Sequence, residues 1–442
     1  MRTPAAREQL FNLVRTLADA TRRPTNRRPV NPPISRATTL LMPEAATMRD
    51  SSCGPTYGIV GLEAQNALAA ALAELEGARR VFLLPTGLAA LTVAAMAVLE
   101  SGDELLVTDA AYGPTRRFCD RFLRRYGVTA RYHPPRASAE EVMALAGPRT
   151  RLILMESPGS LTFEIQDVPA LAAAAAERGI TTLVDNTWAA GLLFKPLTHG
   201  VSLSIQALSK YVGGHSDVFG GSVAVADAGM ERRVQAAMDD LGWYVSPDDA
   251  WLTLRGLRTL AVRLPVHAAN AAEVMAWLQL QPEVVRVLSP TLPSAPDHPL
   301  WRRDFAGGNG LFGLVLRPAP PQAAHAFLDA LRLFGLGFSW GGFGTSSSER
   351  IRRNCGKRNS QSATTRNTPA PPSTAASGAS GSNSSSAGRY APVSSGSSGS
   401  QLRTSLRSYT DRFIRSSAPG KPAPNSANGT PSPRAKASAT RG

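Results

Sequence analysis

From residue 61 onward, short unbroken apolar runs alternate with longer Ala/Leu-rich stretches that repeat at helical spacing. Residues 61–76 carry a helical pattern that Gly77 closes. The run Val81-Phe82-Leu83-Leu84 reads as a buried strand, followed by Pro85-Thr86-Gly87 and a helix over 88–99. Further strands are predicted at 104–108, 151–155, 182–184, 202–207 and 221–225, with helices over 114–126 and 168–177 between them. Strands apolar on both faces, each followed by a helix, predict an α/β fold with a mostly parallel sheet between layers of helices. Ligands of such sheets gather at the carboxyl ends of the strands. Residues 232–285 read as helical, with a long helix over 251–263, followed by a strand at 310–316 and a helix over 322–334. This second region looks like a smaller C-terminal α/β domain, truncated near Phe343. The expected division is an extended Pro/Arg-rich arm (1–60), a large domain (61–250), a partial small domain (251–343) and a tail (344–442).

Composition changes the picture mainly through that tail. The chain has 442 residues and a net charge of +15, which invites a nucleic-acid reading. Residues 344–442 hold 15 Lys/Arg and 2 Asp/Glu, leaving 33 basic and 31 acidic groups in the rest. The basicity therefore belongs to a Ser/Gly/Pro/Ala-rich segment that cannot bury enough apolar surface to offset its ordering entropy, and disorder is expected there. It lacks the interleaved aromatic residues of a single-strand binder, so no nucleic-acid partner is expected. Cys53, Cys119 and Cys355 are too few and too far apart for a disulfide framework or a metal cluster. The six histidines are likewise scattered, and no metal is expected. The N-terminus lacks a secretory hydrophobic core, and no apolar stretch reaches the roughly 18 residues of a membrane span. A cytoplasmic protein with no membrane partner is the expectation.

Lys210 gives the clearest chemical signal. It ends the run Ser202-Leu203-Ser204-Ile205-Gln206-Ala207-Leu208-Ser209-Lys210 and precedes Tyr211-Val212-Gly213-Gly214. A lysine beside an apolar strand is costly to bury, and desolvation makes its amine a usable nucleophile and base. Such an amine can form a Schiff base with an aldehyde cofactor. Asp185, ending Leu183-Val184-Asp185, offers the carboxylate that would keep a pyridine nitrogen protonated, so the pair fits pyridoxal phosphate (PLP). By itself Asp185 could equally be a cap or turn former. Thr86-Gly87-Leu88 opens a helix and could receive a phosphate on its N–H groups, although many such turns hold nothing. Ser209 could add a phosphate contact, and Tyr112 could stack on a ring or be an ordinary loop tyrosine. Thr86, Tyr112, Ser157, Asp185 and Lys210 all follow strands, so one rim should carry them.

Together these stretches resemble the transsulfuration (Cys/Met-metabolism) family of PLP-dependent enzymes. The similarity runs from about Val30 to Gly342 and includes Tyr112-Gly113-Pro114-Thr115, Glu156-Ser157-Pro158-Gly159-Ser160, Val184-Asp185-Asn186-Thr187-Trp188-Ala189, Ser209-Lys210-Tyr211, Gly214-His215-Ser216-Asp217, Leu254-Arg255-Gly256-Leu257-Arg258-Thr259-Leu260 and Ser339-Trp340-Gly341-Gly342. The resemblance implies PLP-dependent fold type I, the aspartate-aminotransferase-like architecture. It implies Lys210 as the cofactor's attachment and proton carrier, Asp185 on the pyridine nitrogen and Tyr112 stacked on the ring. It further implies Gly87, Leu88 and Ser209 at the phosphate, Tyr57 reaching a neighbouring subunit's site from the arm, and Ser339 and Trp340 along the substrate. Trp340 resembles the β-cleaving branch. The implied reaction removes the Cα proton of L-cystathionine and expels homocysteine from Cβ, leaving pyruvate and ammonia for methionine biosynthesis. The implied assembly is a homotetramer with shared sites.

Two departures from the family pattern stand out. Ile59 stands where an arginine usually reaches the cofactor phosphate two residues after Tyr57, so one bidentate contact is missing. Beyond Gly342 nothing resembles the strand whose arginine clamps the substrate carboxylate; Arg350, Arg352 and Arg353 lie in a different context. A γ-acting enzyme and a non-catalytic PLP-binding homologue therefore stand as alternatives. A shift of reading frame near 343–344 would explain the tail. Translating the gene's other two frames past Phe343 should then yield an arginine-bearing strand and a helix, and their absence from both frames would refute the shift.

Overall fold

The computed structural model describes residues 29–50, 52, 54–344 and 346–347; the expectations for residues 1–28 and for nearly all of the tail lie outside them. The described residues divide into two compact units, residues 29–324 with 334–347, and His325–Leu333. The second unit is helical as far as Asp329.

The centre of the first unit is a seven-stranded sheet in the order β1-β7-β6-β5-β4-β2-β3. The strands are β1 (Arg80–Leu84), β2 (Glu104–Thr108), β3 (Thr129–His133), β4 (Thr150–Glu156), β5 (Thr181–Asp185), β6 (Leu203–Ala207) and β7 (Gly221–Val225). Neighbours from β6 to β3 are parallel, whereas β7 runs antiparallel to both β6 and β1. The mostly parallel α/β expectation therefore holds, with one reversed strand. Connecting helices are α1 (Glu63–Glu76), α2 (Gly87–Met96), α3 (Gly113–Arg117, continuing into a π-helical turn at Phe118–Leu123), α4 (Ala139–Leu145) and α5 (Val168–Glu177). The later helices are α6 (Ala228–Leu241), α7 (Pro247–Leu257), α8 (Leu260–Leu278), α9 (His298–Asp304) and α10 (Pro321–Asp329). A two-stranded antiparallel sheet, β8 (Val284–Leu288) with β9 (Gly313–Leu316), packs with Ala271, Met275 and Leu278 of α8 around a smaller apolar cluster. Two-residue strands β10 (Gly335–Leu336) and β11 (Ser346–Ser347) complete the set.

The unbroken apolar runs reflect burial on both sheet faces. Along β2, β4 and β5, Leu106, Ile153, Met155 and Val184 point into one layer, with α1 and α5. Leu105, Val107, Leu152, Leu154 and Leu183 point into the other, with α2 and α6. This is the two-residue alternation of a strand with no solvent face. Three elements escape the apolar pattern. Strand β3 is a half-exposed edge whose Thr-Ala-Arg-Tyr-His sequence carries little hydrophobic signal. Helix α4 is a single short element opened by a Ser138/Glu141 capping box, and α9 has only seven residues. The expected helix over 251–263 is two helices, because the first turn of α8 restarts at Leu260 after Arg258 and Thr259. The end of the expected helical region is β8.

One polar cluster interrupts the first layer. Ser204 and Gln206 face inward from β6 and are buried, as is Asn186 after β5. All three donate to the carboxyl of Glu76, at the last residue of α1. Burial pushes the Glu76 carboxyl up to about 7, which these donors and the charge of Lys195 only partly oppose. A carboxyl raised on folding holds an extra proton in the native state, so its contribution is greatest below its unfolded pKa near 4.5 and is lost as pH rises through about 7. Glu76→Gln should flatten the fall of stability across that window by roughly 2–4 kcal/mol, read from urea midpoints at the two pH limits.

Candidate active site

The carboxyl ends of β1, β2, β4, β5 and β6 share one rim, and the N-terminal Gly221 of β7 joins them opposite Leu84 and Ala207. Asp185 is the last residue of β5. Lys210 lies three residues beyond β6, in a tight turn held by the Lys210 N–H to the Ala207 carbonyl (3.2 Å) and the Gly213 N–H to the Leu208 carbonyl (2.8 Å). Thr187 ties the two strand ends together. Its hydroxyl accepts the Ala207 N–H at 2.9 Å and donates to Asp185 Oδ1 at 2.5 Å, and its own N–H donates to the same oxygen at 3.0 Å. Asp185 Oδ1 is thereby committed as an acceptor.

Burial lowers the Lys210 pKa, and the field of Asp185 opposes this. Burial raises the Asp185 pKa, which the Thr187 hydrogen bonds and Lys210 counteract. Lys210 Nζ donates to Ser339 Oγ at 2.8 Å and lies 5.2 Å from the centre of the Trp340 ring, within cation–π range. Trp340 in turn leans on Tyr211, with ring centres 5.4 Å apart. Gly341 makes this approach feasible: at φ +82°, a Cβ there would stand 2.7 Å from the Tyr211 nitrogen and 3.0 Å from the Lys210 carbonyl carbon.

At the β1 end, Thr86 caps α2 through its side chain, accepting the Ala89 N–H at 3.0 Å. The N–H groups of Gly87 and Leu88 have no hydrogen-bond partner among the described residues, as expected of a first helical turn. Gly87 is required by a close approach, since a Cβ would fall 2.4 Å from Ala207 Cβ. Ser209, beside Lys210, is partly exposed.

Tyr112 precedes α3 and is 42% exposed at the rim. Ser157 behaves differently: it is fully buried, and its hydroxyl accepts the Gln166 N–H at 3.0 Å, so it braces a loop. Tyr57 pairs with Thr39 in an isolated bridge, is half exposed, and makes no hydrogen bond to Lys210, Asp185 or Tyr112. The structure thus brings Lys210, Ser339 and Trp340 together beside Asp185, and it joins Tyr57 to none of them by a hydrogen bond.

Three groups that sequence reasoning passed over belong to this surrounding. Thr187 is one. Arg263 of α8 is another: its Nη2 donates to the carbonyls of Tyr211 (2.8 Å) and Gly256 (2.9 Å), fastening the turn that begins at Lys210. The third is Glu156, the last residue of β4 and directly paired with Asp185 in the β4–β5 register. Burial, reinforced by the Asp185 charge, pushes its carboxyl up to about 8. Thr187 and Glu156 both lie inside motifs already singled out, and their position at or just past a strand end was the available signal.

A carboxylate and a desolvated amine at adjoining strand ends, with free N–H donors at a helix start on the same rim, fit PLP. Comparison with known proteins agrees. The sequence pattern of the Cys/Met metabolism PLP-dependent enzyme family matches residues 15–356, and the chain belongs to that family. It is 42% identical over 326 residues to a cystathionine beta-lyase of Bordetella avium, covering 72% of this chain and 81% of that one. It is 40% identical over 324 residues to a cystathionine beta-lyase of Escherichia coli, covering 71% and 81%. Among solved structures, a cystathionine gamma synthase from Xanthomonas oryzae in complex with aminoacrylate and cysteine aligns with a TM-score of 0.71 at 32% identity, over 77% of this chain and 86% of that one. PLP-dependent fold type I and the PLP cofactor thus hold. No helix among the described residues is long and apolar enough to cross a membrane.

The packing around Gly87 makes a direct prediction. Gly87→Ala should lower stability by about 1–3 kcal/mol through overpacking against Ala207, measured as a shifted denaturant midpoint with an unchanged slope.

Proposed function

We propose that the chain is a carbon–sulfur β-lyase acting on L-cystathionine or a closely similar thioether amino acid. The observation that carries this reading is the Lys210 amine held against Ser339 and Trp340 beside the Asp185 carboxylate. PLP, when bound, supplies the electron withdrawal that makes a substrate Cα proton acidic. In this reading Lys210 would anchor the cofactor and Asp185 would pair with its pyridine nitrogen. The Gly87 and Leu88 N–H groups and Ser209 would hold its phosphate, and Tyr112 would cover one face of its ring.

The chain's own groups then divide the work. Lys210 Nζ, with its pKa lowered by burial, carries the proton away from Cα as a general base. Ser339 Oγ aims that amine toward the substrate side. The Trp340 ring walls the substrate side and limits water there. Tyr57 would act in a neighbouring subunit's site, within a homotetramer; in its own chain it is half exposed and bridges Thr39. Residues 61–250 would form the large domain and 251–343 the small one, with the substrate between them. Location in the cytoplasm completes the reading.

A second reading, a γ-acting enzyme of the same family, is favoured by the likeness to a solved γ-synthase. The two are separated by product: β-cleavage of cystathionine gives pyruvate, γ-cleavage gives 2-oxobutyrate. Borohydride reduction of the PLP-loaded chain followed by peptide mass spectrometry should place the label on Lys210. Lys210→Ala should lose that label and cut pyruvate formation roughly a thousandfold or more. A label on a different lysine would refute the assignment.

A further inference from the structure

Glu156 and Asp185 end adjacent parallel strands in direct register, so their Cα atoms are about 4.8 Å apart. Side chains in register on parallel strands point to the same side of the sheet, so a charge on the Asp185 carboxyl raises the cost of ionising Glu156. Their partners differ. Asp185 faces two committed donors from Thr187 and the cationic amine of Lys210. Glu156 Oε2 accepts the Tyr112 backbone N–H at 2.6 Å, and Oε1 lies 2.5 Å from the Ser160 hydroxyl. A hydroxyl serves as donor or acceptor, so Glu156 keeps both contacts when its Oε1 carries a proton. Its own main-chain N–H donates to Gln166 Oε1, and no cation among the described residues faces its carboxyl.

We propose that Glu156 is a positioning residue that fixes Tyr112 at the rim while leaving the single negative charge of the strand-end pair on Asp185. The Tyr112 N–H adjoins the Cα that bears the ring, so its anchor fixes the point from which the ring projects. Ser160 completes the brace from the loop after β4, and its N–H donates to the Ala110 carbonyl, so one carboxyl links both loops. The charge that a cationic pyridine nitrogen requires then stays at Asp185, next to Lys210. The assignment of the charge to the cofactor rests on the function proposed above; the hold on Tyr112 does not.

The test uses the full chain, with and without PLP. Without cofactor, amide hydrogen exchange of the peptide spanning Tyr112 should quicken about tenfold or more in Glu156→Ala and stay within about threefold of the original in Glu156→Gln, which retains an acceptor for the N–H. If the alanine variant does not fold, Glu156→Asp, one methylene shorter, should give the same acceleration. Equal exchange in all variants overturns the positioning role. With cofactor, titration by PLP should show Asp185→Asn weakened about tenfold or more and Glu156→Gln within about threefold of the original. The reverse order would place the charge on Glu156 and overturn the proposal. Failure of the original chain to take up PLP on Lys210 would sink the functional reading and with it the charge assignment, and the exchange experiment would still decide the Tyr112 contact.

Discussion

A lysine and an aspartate stand at the ends of neighbouring strands, each partly withdrawn from solvent, and much of the local architecture keeps them there. Each group alone would resist burial: desolvation drives the amine toward neutrality and the carboxyl toward its acid form. Each opposes that drift in the other. The geometry survives because Thr187 stitches β5 to the end of β6 with one hydroxyl, and because Arg263 grips the carbonyls of the turn beyond Lys210. The pair is therefore held by hydrogen bonds from Thr187 and Arg263, several of them charge-assisted, as much as by its own mutual attraction. This is the arrangement expected where a group must stay reactive instead of being locked into a tight ion pair.

Around that pair the sheet provides a stiff platform. Its inner strands are sealed by apolar side chains on both faces, and the polar residues that do point inward from β6 are answered by one carboxyl at the end of α1. Gln206 and Ser204 are consecutive inward-facing positions of the strand that leads to Lys210, so Glu76 sets the register of that strand against α1 from behind. Two further carboxyls stand around the pair, the buried Glu76 at the end of α1 and the partly buried Glu156 at the end of β4. Both are pushed toward protonation by burial.

Much of this was readable in the chain because buried parallel strands leave an unmistakable mark: Leu105-Leu106-Val107 and Leu152-Ile153-Leu154-Met155 are apolar on both faces, and chemistry sits at their ends. What escaped had physical reasons. Strand β3 lies at an edge with solvent on its outer side, so its alternation of Arg131 and Tyr132 resembles a loop. Ser157 comes after a strand as Lys210 does, yet it turns inward to a backbone donor, and no local pattern distinguishes the two. Glu156 and Arg263 act through partners 44 and 52 positions away in sequence, and only the folded register brings them into place. The direction of β7 was equally hidden, since a five-residue apolar strand reads the same both ways.

That reversed strand carries a consequence for assembly of the protein. The N-terminal side of the helix with free N–H donors hangs from β1, and among the described residues the strand that hydrogen-bonds β1 is β7, far later in the chain. Pairing across so long an interval makes this one of the slower contacts to form. During synthesis the turn around Gly87 must therefore wait for residue 225 to leave the ribosome before its backing is in place, long after β2 and β4 can begin to associate.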